Sequence, residues 1–128
     1  MADLNIVFEK QKELQIRMGY DIDEMDAKER TTYIKEYANH LSVETSEMLM
    51  ELPFFKPWKK YEWSLEEYAE RMLKAQEEYI DMLHFFAIIG IALGLSADDV
   101  IEGYVAKNAV NHQRQDNTEV YKRCTDEA

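Results

Sequence analysis

The sequence predicts an all-α fold, a helical bundle of about four main helices. Apolar residues recur at spacings of three, four and seven along most of the chain, which is the pattern of amphipathic helices. Only 4 Gly and 2 Pro occur in 128 residues, and the turn signals present divide the chain into segments of helical length. A chain of this size makes one domain, so residues 1–128 are expected to form a single all-α unit.

The first two predicted helices have recognisable start and stop signals. Helix one runs from about Asp3 to Met18 and stops at Gly19, and a short acidic connection, residues 21–26, follows it. Its apolar face is expected to carry Ile6, Val7, Leu14 and Met18. Helix two starts near Asp26, which can act as N-cap, and ends at Pro53. Its apolar stripe comprises Ile34, Tyr37, Leu41 and Met48.

An aromatic loop follows helix two. Residues 53–63, PFFKPWKKYEW, contain two prolines and five aromatic residues. Proline removes a backbone donor and biases the preceding residue toward extended geometry, so this segment is predicted to be a loop. Its aromatic rings fit two roles about equally well: they could cover the core or stack on a bound ring system.

Capping signals mark the starts of the last two helices. The run S64-L-E-E67 matches a capping box, which opens helix three, and this helix reaches toward Gly90 or Gly94. The run S96-A-D-D99 is a weaker capping signal for helix four, residues 97–115. These signals complete the prediction of four helices.

Charge, cysteine content and hydropathy exclude several classes of protein. Lys plus Arg is 15 and Asp plus Glu is 26, a net charge of −11, which argues against sequence-independent binding to duplex nucleic acid. Cys124 stands alone, which excludes an intramolecular disulfide and favours the cytoplasm, or the host cytoplasm for a phage-encoded chain. We expect no secretory signal at the acidic N-terminus. The apolar stretch Ile80–Leu95 has 16 residues, fewer than the about 20 that span a bilayer, and is expected to be a buried helix.

Four carboxylates fall where inward-facing side chains are expected. Extending the stripe of helix two reaches Glu44, and Glu47 lies one turn further on, so E44-T-S-E47 presents two carboxylates side by side. Helix three repeats the arrangement in E78-Y-I-D81, where Asp81 interrupts an apolar run. One such pair alone is usually a solvated helix face, but two pairs within amphipathic segments favour an internal acidic cluster.

Such a cluster needs a positive partner. Burying an ionised carboxylate costs several kcal/mol, and neighbouring like charges raise each other's pKa. Lys or Arg could compensate, yet helices two and three offer few basic residues at these levels. A set of oxygen ligands suits a hard divalent ion, so the sequence favours Mg²⁺, with Mn²⁺ as an alternative ion.

Helix four carries a second polar constellation. Lys107, Asn111 and Arg114 are separated by four and three residues and share one face, flanked by Asn108 and Gln115. In so acidic a chain, this face suits an anion with many acceptor oxygens, such as a polyphosphate. Ordinary salt bridges with the surplus acids explain the two cations equally well.

These motifs resemble a known family. E44-T-S-E47 followed by E78-Y-I-D81 is similar to the E-x-x-E and E-x-x-D signature of the all-α nucleoside triphosphate pyrophosphohydrolases, which include the MazG-type enzymes and the dimeric dUTPases. Further matches favour the dUTPase branch and follow the family's order over most of the chain. They are Q11-K-E-L14, F55-K-P-W58, D81-M-L-H84-F85 and K107-N-A-V-N111-H-Q-R114-Q115.

The resemblance implies an activity and a set of site residues. It implies a helical homodimer that hydrolyses dUTP, and also dUDP, to dUMP with release of pyrophosphate or phosphate, using Mg²⁺ and a metal-activated water. The implied catalytic and metal-binding residues are Glu44, Glu47, Glu78 and Asp81, with Glu47 also placed to orient or deprotonate the water. The implied substrate-binding residues are Gln11, Gln15, Lys56, Trp58, His84, Lys107, Asn111 and Arg114. Among these, Gln11 is expected to bond the uracil edge, Trp58 to pack on the base or sugar, and the helix-four residues to hold phosphates.

Departures from the family pattern keep alternatives open. Gln15 stands where the family often has Asn, and R114-Q-D-N-T-E119 replaces the common R-Q-x-x-G-Y run. One alternative is a related pyrophosphohydrolase with another base preference, either dCTP-directed or broad and MazG-like. The other is a non-catalytic helical adaptor whose acids are solvated and whose aromatic loop docks a partner. A nucleotide, rather than nucleic acid or a membrane, is the expected partner of the enzyme.

Overall fold

The computed structural model describes residues 3–117, and the predicted all-α bundle is confirmed over that range. Four α-helices are present, with a 3₁₀ turn between the first two that the sequence did not predict. In chain order the elements are α1 Leu4–Arg17, the 3₁₀ turn Ile22–Glu24, α2 Ala27–Glu51, α3 Leu65–Ala92 and α4 Ala97–Asp116. Cys124 and the C-terminal part of the R114-Q-D-N-T-E119 run lie outside the described residues.

Side-chain caps explain where the helices begin. The carboxylates of Asp3 and Asp26 and the hydroxyl of Ser64 each accept a hydrogen bond from a backbone N–H in the first turn of α1, α2 and α3. At α4 the capping box is complete, because Ser96 accepts from the Asp99 N–H and the Asp99 carboxylate accepts from the Ser96 N–H. The signal that is weaker in the sequence therefore forms both of its hydrogen bonds.

The centre of the molecule is the long antiparallel pair of α2 and α3. Their contact is the most extensive between any two helices, and α1 packs on α3 while the start of α4 packs on α1. One core cluster joins Ile22 and Tyr33 to Ile88. A second cluster places Phe8 against α3 where Gly90 leaves room, since a Cβ at that glycine would lie 3.1 Å from the Phe8 ring. This arrangement holds the middle turns of α2 and α3 side by side.

The prediction for the buried face of helix one is wrong in part. Ile6, Leu14 and Met18 are about half exposed, and the buried residues of α1 are Phe8, Gln11 and Gln15. These three residues recur at spacings of three and four, so α1 is amphipathic, but it is rotated from the expected orientation. The burial of the two glutamines is tolerated because the amide nitrogen of Gln11 and both polar atoms of the Gln15 amide form hydrogen bonds.

Much apolar surface stays exposed on α3 and α4. The expectation that Ile80–Leu95 is buried holds for Ala87, Ile88 and Ala92 but is wrong for Ile80 and Phe86, which are about half exposed. On α4, only Ala97 is buried. Within residues 3–117, no single helix combines the length and apolar composition needed to cross a membrane; α3 and α4 meet that test only as a pair bent by 100°.

The core of the α2–α3 pair gives a first test. Ile88→Ala is expected to destabilise the protein by about 2–5 kcal/mol, because the 2% exposed side chain would leave a cavity between packed helices. Leu65→Ala is the matched control, because that side chain is 90% exposed and its truncation is expected to cost less than about 0.5 kcal/mol. Urea unfolding measured for both variants checks this; equal losses would contradict the placement of Ile88.

Candidate functional site

Three of the four predicted metal ligands converge between α2 and α3. One carboxylate oxygen each from Glu44, Glu47 and Glu78 lies within 4.8 Å of the other two. Glu44 and Glu47 are one turn apart on α2, and Glu78 faces them from the adjacent middle turn of α3. The fourth predicted ligand, Asp81, is exposed and lies outside this group of three, but its charge acts on Glu44.

The cluster lacks the positive partner that buried carboxylates require. Glu44 Oε2 and Glu78 Oε2 are buried and have no hydrogen-bond partner among the described residues. The ion pairs found in residues 3–117 are Lys12–Asp23 and Arg71–Glu51, so no Lys or Arg pairs with the cluster. Mg²⁺ takes oxygen ligands, including carboxylates. The donor set and its two partnerless oxygens therefore fit a divalent cation.

Repulsion within the cluster raises the pKa of Glu44. The Glu78 carboxyl, which can hydrogen-bond to Glu44 only when one of the two is protonated, is the largest cause of a pKa raised to about 7. Partial burial and the negative charges of Glu47, Glu78 and Asp81 raise the pKa further. A cation at this place would reverse these effects, because it favours the ionised form of every acid around it.

A cavity of about 420 Å³ opens beside the acidic cluster. Its wall combines acids with the predicted base-binding side chains and an apolar patch. The lining residues are Gln11, Leu14, Gln15, Met18, Tyr37, Glu44, Asp81, His84, Phe85 and Ile88. Two larger grooves, of about 590 and 480 Å³, are lined by neither the cluster nor the buried amides, so the smaller cavity is the candidate substrate site.

The floor of this cavity is a chain of buried hydrogen bonds between α1 and α2. Gln11 Nε2 donates to Gln15 Oε1 at 3.0 Å. Gln15 Nε2 in turn donates to the hydroxyls of Tyr33 and Tyr37, the latter at 3.3 Å. Since Gln15 is only 1% exposed, it acts on the cavity mainly through Gln11, which remains accessible from it.

His84 stands at the edge of the same cavity. Its Nδ1 lies 3.0 Å from the Ile80 carbonyl oxygen, one turn back on α3. A protonated Nδ1 donates to that oxygen, which leaves Nε2 of the neutral ring as an acceptor. This orientation suits a donor group on a bound nucleoside.

The aromatic loop at residues 53–63 is present as predicted, but its two implied substrate residues do not line the cavity. Trp58 is 77% exposed. Lys56 is partly buried, and its backbone N–H donates to the Tyr61 hydroxyl at 3.1 Å. The base of the loop is anchored by Arg71, which lies 5.2 Å from the Trp63 ring centroid and pairs with Glu51 at 3.0 Å.

The cationic face of helix four lies away from the cluster within one chain. Lys107, Asn111 and Arg114 are exposed and do not line the cavity. Because α4 turns by 100° from α3 and Lys107 is ten residues past Ala97, this face begins about 15 Å out along α4. The two cations form no ion pair within residues 3–117, so the salt-bridge alternative is not supported there.

Comparison with known proteins decides the family. A family model described as dUTPase matches residues 3–96 and 86–118, which is most of the chain. The chain belongs to the dUTPase family. The predicted membership of the all-α nucleoside triphosphate pyrophosphohydrolases is thereby confirmed, together with the all-helical fold.

Two relatives of this dUTPase-family chain come from bacteriophages. The chain is 30% identical to a dCTP pyrophosphatase of Enterobacteria phage LZ5, over 88% of this chain and 80% of the relative. It is 26% identical to a dCTP pyrophosphatase of Enterobacteria phage T4, over 89% of this chain and 81% of the relative. No solved structure gives a significant match.

Sequence reasoning missed two residues that support the site or its neighbouring loop in this dUTPase-family chain. Tyr33 was not assigned to the stripe of helix two, although it is nearly fully buried, and Arg71 was not considered. A Tyr at spacing four from Tyr37 was the available signal for the first, since the two rings pack at 4.5 Å. The sequence signal for Arg71 was weaker, because its partners, Glu51 and Trp63, lie on other elements.

The raised pKa of Glu44 predicts a pH dependence of the metal-free protein. A carboxyl with a pKa of about 7 when folded and 4.5 when unfolded holds its proton more tightly in the native state, so stability falls as pH rises between these values. Glu44→Gln removes this titration, and its stability relative to wild type is expected to increase from pH 5 to pH 8. Thermal unfolding in EDTA measures the difference; parallel curves for the two proteins would contradict it.

Proposed function

We propose that this chain is a Mg²⁺-dependent pyrimidine deoxynucleoside triphosphate pyrophosphohydrolase that acts on dCTP in preference to dUTP. The observation that carries the proposal is the position of the acidic cluster. Glu44 belongs both to the cluster and to the wall of the cavity that holds the amide of Gln11. A nucleotide base in the cavity would therefore bring its phosphates beside the candidate cation site.

The relatives and the family model point to different bases. Both phage relatives are named dCTP pyrophosphatase and align with most of this chain, which supports dCTP as the preferred substrate. The matching family model is described as dUTPase, which supports dUTP as the second candidate. We therefore propose dUTP, with dUDP, which the sequence resemblance favours, as the second candidate substrate.

The four acids have two proposed roles in hydrolysis, cation binding and proton acceptance. Glu44, Glu47, Glu78 and Asp81 are the proposed ligands of the divalent cation, since they are the acids at the cluster and its cavity edge. When bound, Mg²⁺ supplies neutralisation of phosphate charge and lowers the pKa of water. Glu47 is the exposed member of the group of three, which supports its proposed role as acceptor of a proton from an attacking water.

The alternative of a non-catalytic adaptor fits these observations less well. An adaptor's acids would be solvated, whereas two carboxylate oxygens of this cluster are buried without a hydrogen-bond partner within the described residues. Retaining them in that state costs stability unless a ligand compensates. A cytoplasmic location remains part of the proposal, in keeping with a nucleotide substrate.

Turnover of a nucleotide panel tests the proposal. Pyrophosphate release is expected from dCTP, more slowly from dUTP, and far more slowly from dTTP, dATP and UTP, in each case only with Mg²⁺ or Mn²⁺ present. Glu47→Gln is expected to lower kcat at least about 100-fold, because it removes a proton acceptor and cation ligand. Glu36→Gln, an exposed acid of the same helix, is the matched control. Divalent-independent hydrolysis, or none of either pyrimidine nucleotide, would contradict the proposal.

A homodimer completes the proposal. Exposed apolar side chains on α3 and α4, including Ile80, Phe86, Ile101 and Tyr104, offer a surface for a second copy. The helix-four face of Lys107, Asn111 and Arg114 is proposed to hold phosphates, with help from Lys56. Since this face lies away from the cluster of its own chain, the second copy would have to supply it.

Light scattering after gel filtration is expected to give twice the 15.2 kDa chain mass. Tyr104→Asp is expected to shift the population toward monomer, because it places a charge on the apolar face of α4. Glu102→Asp, a conservative change at an exposed position on the same helix, is the control. A monomer at micromolar concentration of the wild-type protein would contradict the dimer.

A further inference from the structure

The orientation of one buried amide determines which polar group faces the candidate substrate cavity. Gln11 is anchored by its nitrogen, because Nε2 donates to Gln15 Oε1 at 3.0 Å. Its oxygen, Oε1, has no hydrogen-bond partner within residues 3–117 and is not among the buried partnerless atoms. Since Gln11 lines the cavity, its exposed end presents an acceptor there.

The orientation of Gln11 depends in turn on Gln15. An anchored Gln15 oxygen requires that the Gln15 nitrogen point the other way, toward α2, where it donates to the hydroxyls of Tyr33 and Tyr37. If the Gln15 amide were rotated by 180°, its nitrogen would face Gln11, and Gln11 would have to turn its oxygen inward. The cavity would then present an NH₂ donor in place of an acceptor.

Aromatic packing holds the rings of the two tyrosines in place. The Tyr33 ring packs against the rings of Tyr20 and Tyr37, and the Tyr37 ring lies 5.8 Å from that of Phe85. Burial raises the pKa of the Tyr33 hydroxyl far above its ordinary range, so it stays neutral. In this structure both hydroxyl oxygens accept from the Gln15 nitrogen.

We propose that Tyr33 and Tyr37 are positioning residues for base selection: through Gln15 they hold Gln11 Oε1 toward the cavity, where it accepts a hydrogen bond from the exocyclic amino group of a cytosine-type base. A uracil-type base carries an oxygen at the same ring position, so it would meet Gln11 acceptor to acceptor. This inference rests on the proposed function, since it specifies how the same site distinguishes dCTP from dUTP.

Discrimination between the bases would arise because a uracil-type base leaves the acceptor Gln11 Oε1 unpaired. A site built to bond one polar group rejects an analogue that lacks it strongly, because the buried partner is left unsatisfied. Selection by an amide works only if the amide cannot rotate, since a freely rotating amide offers either a donor or an acceptor. Turning the Gln15 amide over would require both tyrosine hydroxyls and Gln11 to reorient with it, so the connected hydrogen bonds supply this restraint.

Tyrosine-to-phenylalanine variants test the inference with little change of shape. The double variant Tyr33→Phe/Tyr37→Phe keeps both rings but removes both hydroxyls that receive the Gln15 nitrogen. The ratio of kcat/KM for dCTP to kcat/KM for dUTP is expected to fall at least about tenfold, through faster hydrolysis of dUTP as well as slower hydrolysis of dCTP. Each single variant is expected to give a smaller fall, since one hydroxyl remains.

The control is Tyr20→Phe, because Tyr20 packs on the Tyr33 ring but its hydroxyl is no partner of Gln15. Its base ratio is expected to match wild type. A general structural defect lowers both kcat/KM values together and leaves their ratio unchanged, and that result in the double variant would overturn the inference. Thermal unfolding of each variant records folding separately.

The possible failures are distinguishable. Wild-type protein that hydrolyses neither nucleotide refutes the proposed function itself. Wild-type protein that favours dUTP refutes the acceptor orientation of Gln11 while leaving a pyrimidine nucleotide hydrolase in place. A wild-type preference for dCTP that persists unchanged in the double variant refutes only the role of the tyrosines.

Discussion

Repulsion among carboxylates has to be overcome where α2 packs against α3. The two longest helices pack so that Glu44, Glu47 and Glu78 meet within a few ångströms, and two of their oxygens are shielded from water with no hydrogen-bond partner among residues 3–117. Such an arrangement is costly for the protein alone and favourable with a cation. The core around Ile88 and the Gly90–Phe8 contact hold the helices in place against this repulsion.

The cavity beside the acidic cluster explains why α1 buries two glutamines. A helix that served only to cover α3 would bury Leu14 and Met18, yet these residues are partly exposed at the cavity while Gln11 and Gln15 are buried. The hydrogen bonds from Gln11 through Gln15 to α2 make this burial tolerable. Helix α1 therefore buries less apolar surface than it could. Its buried polar face instead brings the Gln11 amide into the cavity that Glu44 and Asp81 also line.

Local signals predicted the fold well, whereas relations between helices were harder to predict. Caps at Asp26 and Ser64, with Pro53 between them, mark helix boundaries through neighbouring residues alone, and the acid pairs are visible because they interrupt an apolar pattern. The buried face of α1 was predicted wrongly because periodicity counts Gln as a surface residue. The position of the helix-four cations could not be predicted, since no periodicity encodes the 100° turn between α3 and α4.

The same limit explains why a family match leaves the base undecided. A motif with Gln11 predicts contact with a base edge, but an amide offers an acceptor or a donor according to its rotation, and the sequence is identical in both cases. The rotation is set by partners on another helix, here the hydroxyls that receive the Gln15 nitrogen. The same acids and the same Gln are therefore compatible with different base preferences, according to the partners that orient the amide.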